Sequence, residues 1–82
     1  MYLLGPTGNF NWINTSNITD FTWLFAENST FNGNISRWDT SNVVKFDKCF
    51  MKAQSFDGNI NDWDTSSATS MKFMFEDASK FN

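Results

Sequence analysis

Apolar side chains recur along this chain in two alternating rhythms. Val43, Phe46, Phe50 and Ala53 fall three, four and three residues apart, the spacing of one face of an α-helix. The face returns as Ile18, Phe21, Phe25 and Asn28, and as Ala68, Met71, Phe75 and Ala78. The spacing predicts helices near 17–28, 42–53 and 67–78, each short enough to depend on tertiary packing. Asp39, Thr40 and Ser41 stand just upstream of the middle one as N-cap types, and Lys45, Lys48 and Lys52 project from another face. Between the helical patterns the rhythm shortens. Gly33-Asn34 is turn chemistry, with Gly33 free to take positive φ, and Ile35 and Trp38 follow closely. This predicts a very short strand near 34–37 that pairs in parallel with its neighbours.

The two rhythms repeat with a fixed period of 25 residues. Six columns are identical three times over: Gly8/Gly33/Gly58, Asn9/Asn34/Asn59, Thr15/Thr40/Thr65, Ser16/Ser41/Ser66, Phe25/Phe50/Phe75 and Phe31/Phe56/Phe81. The chain divides into repeats 8–32, 33–57 and 58–82 behind a segment 1–7. A period of this length marks stacked repeats. The expected fold is an α/β solenoid of leucine-rich-repeat type, three coils each with a short parallel strand and one helix. Tyr2, Leu3 and Leu4 then form a leader or a cap over the open apolar end of the first repeat.

Composition narrows the function more than the fold. The net charge of −3 suggests no electrostatic nucleic-acid surface, and no stretch approaches the length of a membrane span. There is no His, the commonest general base and metal ligand. Cys49 is the single cysteine and shares a column with Leu24 and Met74, which suits a buried, inert thiol. No catalytic constellation emerges, and no cofactor is expected.

The run Phe31-Asn32-Gly33-Asn34-Ile35-Ser36-Arg37-Trp38-Asp39-Thr40-Ser41-Asn42-Val43 resembles the 25-residue repeat of BspA-type leucine-rich-repeat surface proteins. The nearest branch is the mycoplasma-type surface-lipoprotein repeat. The resemblance covers residues 8–82, and departs where Ile13 stands in the column of Trp38 and Trp63. It implies a right-handed solenoid, display at the cell surface, adhesion or protein binding, and no enzyme activity.

Several residues invite a function, each with a plainer alternative. The Phe columns could line a groove or stack as core. Asn14, Asp39 and Asp64, with Asp57 and Asp62 nearby, could hold calcium on stacked turns or simply cap and bond those turns. Asn34-Ile35-Ser36 is one of four glycosylation sequons, and Asn34 is also a repeat-wide turn residue. Trp23, Lys48 and Phe73 share one column away from the apolar stripe, either an interface or extra core. The favoured function is a non-enzymatic protein-binding or adhesion module using Trp23, Lys48, Phe73 and Phe81. The alternative is a structural subunit docked in a larger assembly, or self-associated, through an uncapped third repeat. Carbohydrate binding through Trp12 and exposed Asn side chains ranks third.

Overall fold

The computed structural model describes residues 6–81, and they form no helix and no strand beyond isolated bridges. The expected α/β solenoid, with one helix and one strand per coil, is therefore wrong. Residues 25 apart nevertheless lie one above another. Asn9 bridges Asn34, Asp20 bridges Lys45, and Lys45 bridges Ser70, all in parallel. Coils one (8–32), two (33–57) and three (58–82) are named by that register.

Backbone hydrogen bonds explain what replaces the helices. The N–H groups of Phe21, Trp23, Phe25 and Glu27 donate to the carbonyls of Lys45, Asp47, Cys49 and Met51, at 2.7–3.1 Å. One coil further, Phe46, Lys48, Phe50 and Lys52 donate to Ser70, Lys72, Met74 and Glu76, at 2.7–2.9 Å. The intervening amides close tight turns within their own coil: Leu24 to Phe21, Ala26 to Trp23 and Asn28 to Phe25. An α-helix would send every one of these amides back along its own coil. Here every second amide leaves the coil.

Aromatic spacing shows why this arrangement wins. Phe25 and Phe50 stack at 5.4 Å between centroids, Phe50 and Phe75 at 5.5 Å, Phe31 and Phe56 at 5.9 Å, and Phe56 and Phe81 at 5.8 Å. Helices pack no closer than about 8–10 Å. A helix in each coil would pull both Phe columns apart and forfeit their stacking. The positions read as a helical face are still the inward ones: Val43, Phe46, Phe50 and Ala53 are all fully buried. Successive four-residue turns generate the same three-and-four spacing as a helix.

The tight turns strain the backbone at fixed places. Trp23, Lys48 and Phe73 have φ of 65°, 57° and 56°, and Glu27, Lys52 and Asp77 have φ of 61°, 60° and 58°. Left-handed geometry costs a non-glycine residue about 1–2 kcal/mol. The cross-coil bonds and the buried rings offset that cost.

The short segment fares as the helices do. One bridge, Asn9 to Asn34, stands where a strand was expected near 34–37. Trp38 and Trp63 are buried, stacked at 6.4 Å, and each indole Nε1 donates to a carbonyl one coil earlier, Phe10 and Ile35 respectively. Ile13, in the same column, is only half-buried. Gly33 does not use positive φ; Gly8 does, at 119°. A Cβ on Gly33 would come within 2.6 Å of the Phe10 ring and 2.9 Å of Phe31, and one on Gly58 within 2.8 Å of Phe56, so these two are glycine for space. The proposed cap of Tyr2, Leu3 and Leu4 lies outside the described residues. Beside it, Pro6 and Gly8 accept bonds from Asn32 and Asn34.

Candidate functional site

The first candidate surface follows from the strained turns. Positive φ at Trp23, Lys48 and Phe73 turns these three side chains outward, off the stack of buried rings. The Trp23 amide donates to Asp47 and the Lys48 amide to Lys72, while the Phe73 carbonyl accepts from the Glu76 amide. The side chains form a ladder. Lys48 Nζ lies 4.5 Å from the Trp23 ring centroid and 6.0 Å from that of Phe73. Exposed cation–π contacts of this kind contribute about 0.5–1 kcal/mol. Trp23 remains 48% exposed and Phe73 59%. The structure thus brings three of the four sequence-derived residues into one outward column.

Phe81, the fourth, lies elsewhere. It stacks on Phe75 at 4.3 Å and on Phe56 at 5.8 Å, inside the coil and half-buried. It belongs to a second surface, the open side of coil three. There Met71 is 45% exposed, whereas Phe46 and Phe21 in its column are buried. Phe75 and Ile60 are half-buried, whereas Phe50 and Ile35 are buried. The amides of Met71, Phe73, Phe75 and Asp77 occupy the positions whose counterparts donate down the stack, and they have no carbonyl partner among the described residues. Sequence reasoning missed this row because backbone groups leave no trace in composition. Its one sequence signal is the repeated Thr column. Thr15 and Thr40 donate through their hydroxyls to the carbonyls of Asp39 and Asp64, and the Thr65 hydroxyl has no such acceptor among the described residues.

The acidic column has a structural role. Asp39 Oδ1 accepts from the Ser41 hydroxyl and amide, and Asp64 Oδ1 from the Ser66 amide. Asn14 makes the same two bonds with Ser16. These are Asx turns, not helix caps, since there is no helix to cap. The bonds from Ser41 hold Asp39 below the usual carboxylate range, and those from Ser66 do the same for Asp64. Thr22 lowers Asp20 likewise, and the Ser70 hydroxyl, with help from nearby Lys72 and Lys45, lowers Asp47. Among the described residues no three His, Cys, Asp or Glu side chains gather as a metal site. Cys49 is fully buried, and that burial pushes its thiol pKa far up, away from the reactive thiolate.

Trp12 is 75% exposed beside an open depression formed with Asn9, Asn11, Asn34, Ser36 and Arg37. Asn11 is clamped there, its Oδ1 taking the Arg37 amide at 2.8 Å and its Nδ2 donating to Asn34 Oδ1 at 3.2 Å. Asn34 Oδ1 also accepts from the Ser36 amide, so this sequon asparagine is part of a turn. Among the described residues no helix is long and apolar enough to cross a membrane.

A family model described as Mycoplasma protein of unknown function, DUF285, matches residues 6–82. Neither the curated proteins nor the solved structures compared with the chain give a match.

Proposed function

We propose a function for this chain, which belongs to the family described as Mycoplasma protein of unknown function, DUF285. It is a non-enzymatic interaction module that binds another protein through Trp23, Lys48 and Phe73. The observation that supports this is the ladder itself. Two large rings stay about half exposed with a cation between them, and aromatic side chains are enriched at interfaces, Trp among those that dominate binding energy there. The resemblance of the repeat to BspA-type surface proteins supports adhesion at a cell surface as the setting. Photo-crosslinking in the producing cell tests the reading. A photoreactive residue replacing Phe73 should form a protein adduct, and one replacing exposed Asp62 should not. Equal labelling at both positions, or none at Phe73, overturns it.

A further inference from the structure

We propose that the face of the stack carrying Trp12 binds a neutral oligosaccharide. This face shares no residue with the ladder of Trp23, Lys48 and Phe73.

Coil one departs from the template at its tryptophan. In coils two and three the Trp stands in the inward column. There Trp38 and Trp63 are buried, stack on each other and bond a carbonyl through the indole N–H. Coil one puts Ile13 in that column and a Trp one position earlier, in the column of Arg37 and Asp62. Trp12 is 75% exposed, against 48% for Trp23 under its lysine. Among the described residues the Trp12 ring meets no second ring and no cation, and its indole N–H meets no acceptor. The exposure of this column does not come from an end of the stack. Arg37 and Asn34 belong to coil two, which has a coil on either side, and both are exposed.

The surroundings of the ring are polar. The depression beside it is about 770 Å³, and Trp12 is the single apolar side chain in its lining. Small-molecule sites span about 300–1,000 Å³. A second depression of about 430 Å³ adjoins it, sharing Asn34 and Ser36 and reaching Asp57 and Asn59. Gly33 and Gly58 line that second depression and put no side chain into it.

One asparagine per coil is oriented the same way along this face. Asn9, Asn34 and Asn59 accept through Oδ1 from the backbone amides of Asn11, Ser36 and Asn61, at 2.9–3.1 Å. Those bonds commit the oxygen and leave Nδ2 to other partners. None of the three Nδ2 groups meets an acceptor among the described residues.

These features match one ligand chemistry. A sugar ring has an apolar C–H face that lies flat on an indole, and a rim of hydroxyls that both donate and accept. Asn and Ser side chains donate and accept likewise. A protein hot spot instead encloses its Trp in a well-packed, desolvated pocket. Single-stranded nucleic acid takes a basic groove beside the stacking ring. Here the two depressions carry one cation, Arg37, and one anion, Asp57, and Asp62 follows Arg37 in its column. That balance selects an uncharged ligand, and two adjoining depressions suit a chain of sugars over a single one.

The test is an NMR titration of the isotope-labelled 82-residue chain with soluble hexasaccharides of glucose, mannose, galactose and N-acetylglucosamine in turn, and with hexathymidylate for comparison. At least one sugar should shift the Trp12 indole and the side-chain amides of Asn9, Asn34 and Asn59, with a Kd of about 1 mM or tighter. Trp12→Ala, at an exposed position, should weaken that sugar by about tenfold or more, and Trp12→Tyr, which keeps a ring, by less. Asn34→Asp keeps the oxygen that holds the turn, as Asp39 and Asp64 do, and removes the Nδ2 donor. It should melt like the parent and bind about two- to tenfold more weakly, the range of one lost hydrogen bond. The proposal is overturned if no hexasaccharide moves these signals at about 10 mM. It is equally overturned if Trp12→Ala binds as the parent does, if hexathymidylate binds more tightly than every sugar, or if the Trp23 indole shifts in place of that of Trp12.

Discussion

Coils two and three are built to one template and meet different surroundings. Phe46, Phe50, Phe56 and Thr40 in coil two are buried. Their counterparts in coil three, Met71, Phe75, Phe81 and Thr65, are half-buried or exposed. Coil two has a neighbour on each side and coil three has one among the described residues. A coil of 25 residues does not bury its own rings; its neighbours do that. Between these two coils burial is thus set by position in the stack, and the same Phe carries a different weight in coil two and in coil three.

The largest expected effect breaks that comparison directly. Phe50 lies between Phe25 and Phe75, so Phe50→Ala opens a cavity in the middle of a stack. It should cost about 3–5 kcal/mol, and Phe75→Ala about half as much, because one side of Phe75 is not covered. Urea unfolding measures both. Equal losses would show that stacking on a second neighbour adds nothing.

A smaller effect isolates the turn from the neighbour. Lys52 and Asp77 share a column and a left-handed backbone, but only the Lys52 amide has a cross-coil acceptor, Glu76. Lys52→Gly and Asp77→Gly should each stabilise by about 1 kcal/mol as strain is relieved, raising Tm by about 4–8 °C. A gain at Lys52 alone would mean that the neighbouring coil, not the turn, imposes the strain.

The smallest effect is in acid and sets coil one against coil two. Asp39 is held below its ordinary pKa by the Ser41 hydrogen bonds, so its contribution is present above the ordinary carboxylate value. That contribution is lost as pH falls through the folded pKa. Asn14 makes the same bonds in coil one without a charge. Asp39→Asn should therefore keep the turn and flatten the fall of Tm below about pH 4. A variant that melts along the parent's acid profile would show that Asp39 does not drive it.

The comparison also marks how much was legible in the residues. The ladder was visible as a column, because Trp23, Lys48 and Phe73 sit 25 apart and off the apolar stripe. Their outward direction was not, because it comes from a left-handed backbone that those residue types do not favour. The Asp column was legible as turn bonding, and only the helix-capping half of that reading fell with the helices. The open side of coil three was visible in its Phe residues and invisible in its amides.

The sequence by itself determined the period, the inward positions and the vertical register. Those depend on side chains that must meet their own copies, and identical columns 25 residues apart can do so in one alignment only. The path of the backbone between those positions was decided by tertiary structure. Three-and-four spacing is shared by an α-helix and by a series of tight turns, so the residues of one coil cannot distinguish them. The distance between coils can. Rings stacked at 5.4–5.5 Å leave no room for a helix, and so every second amide turns out of its own coil to find a carbonyl in the next.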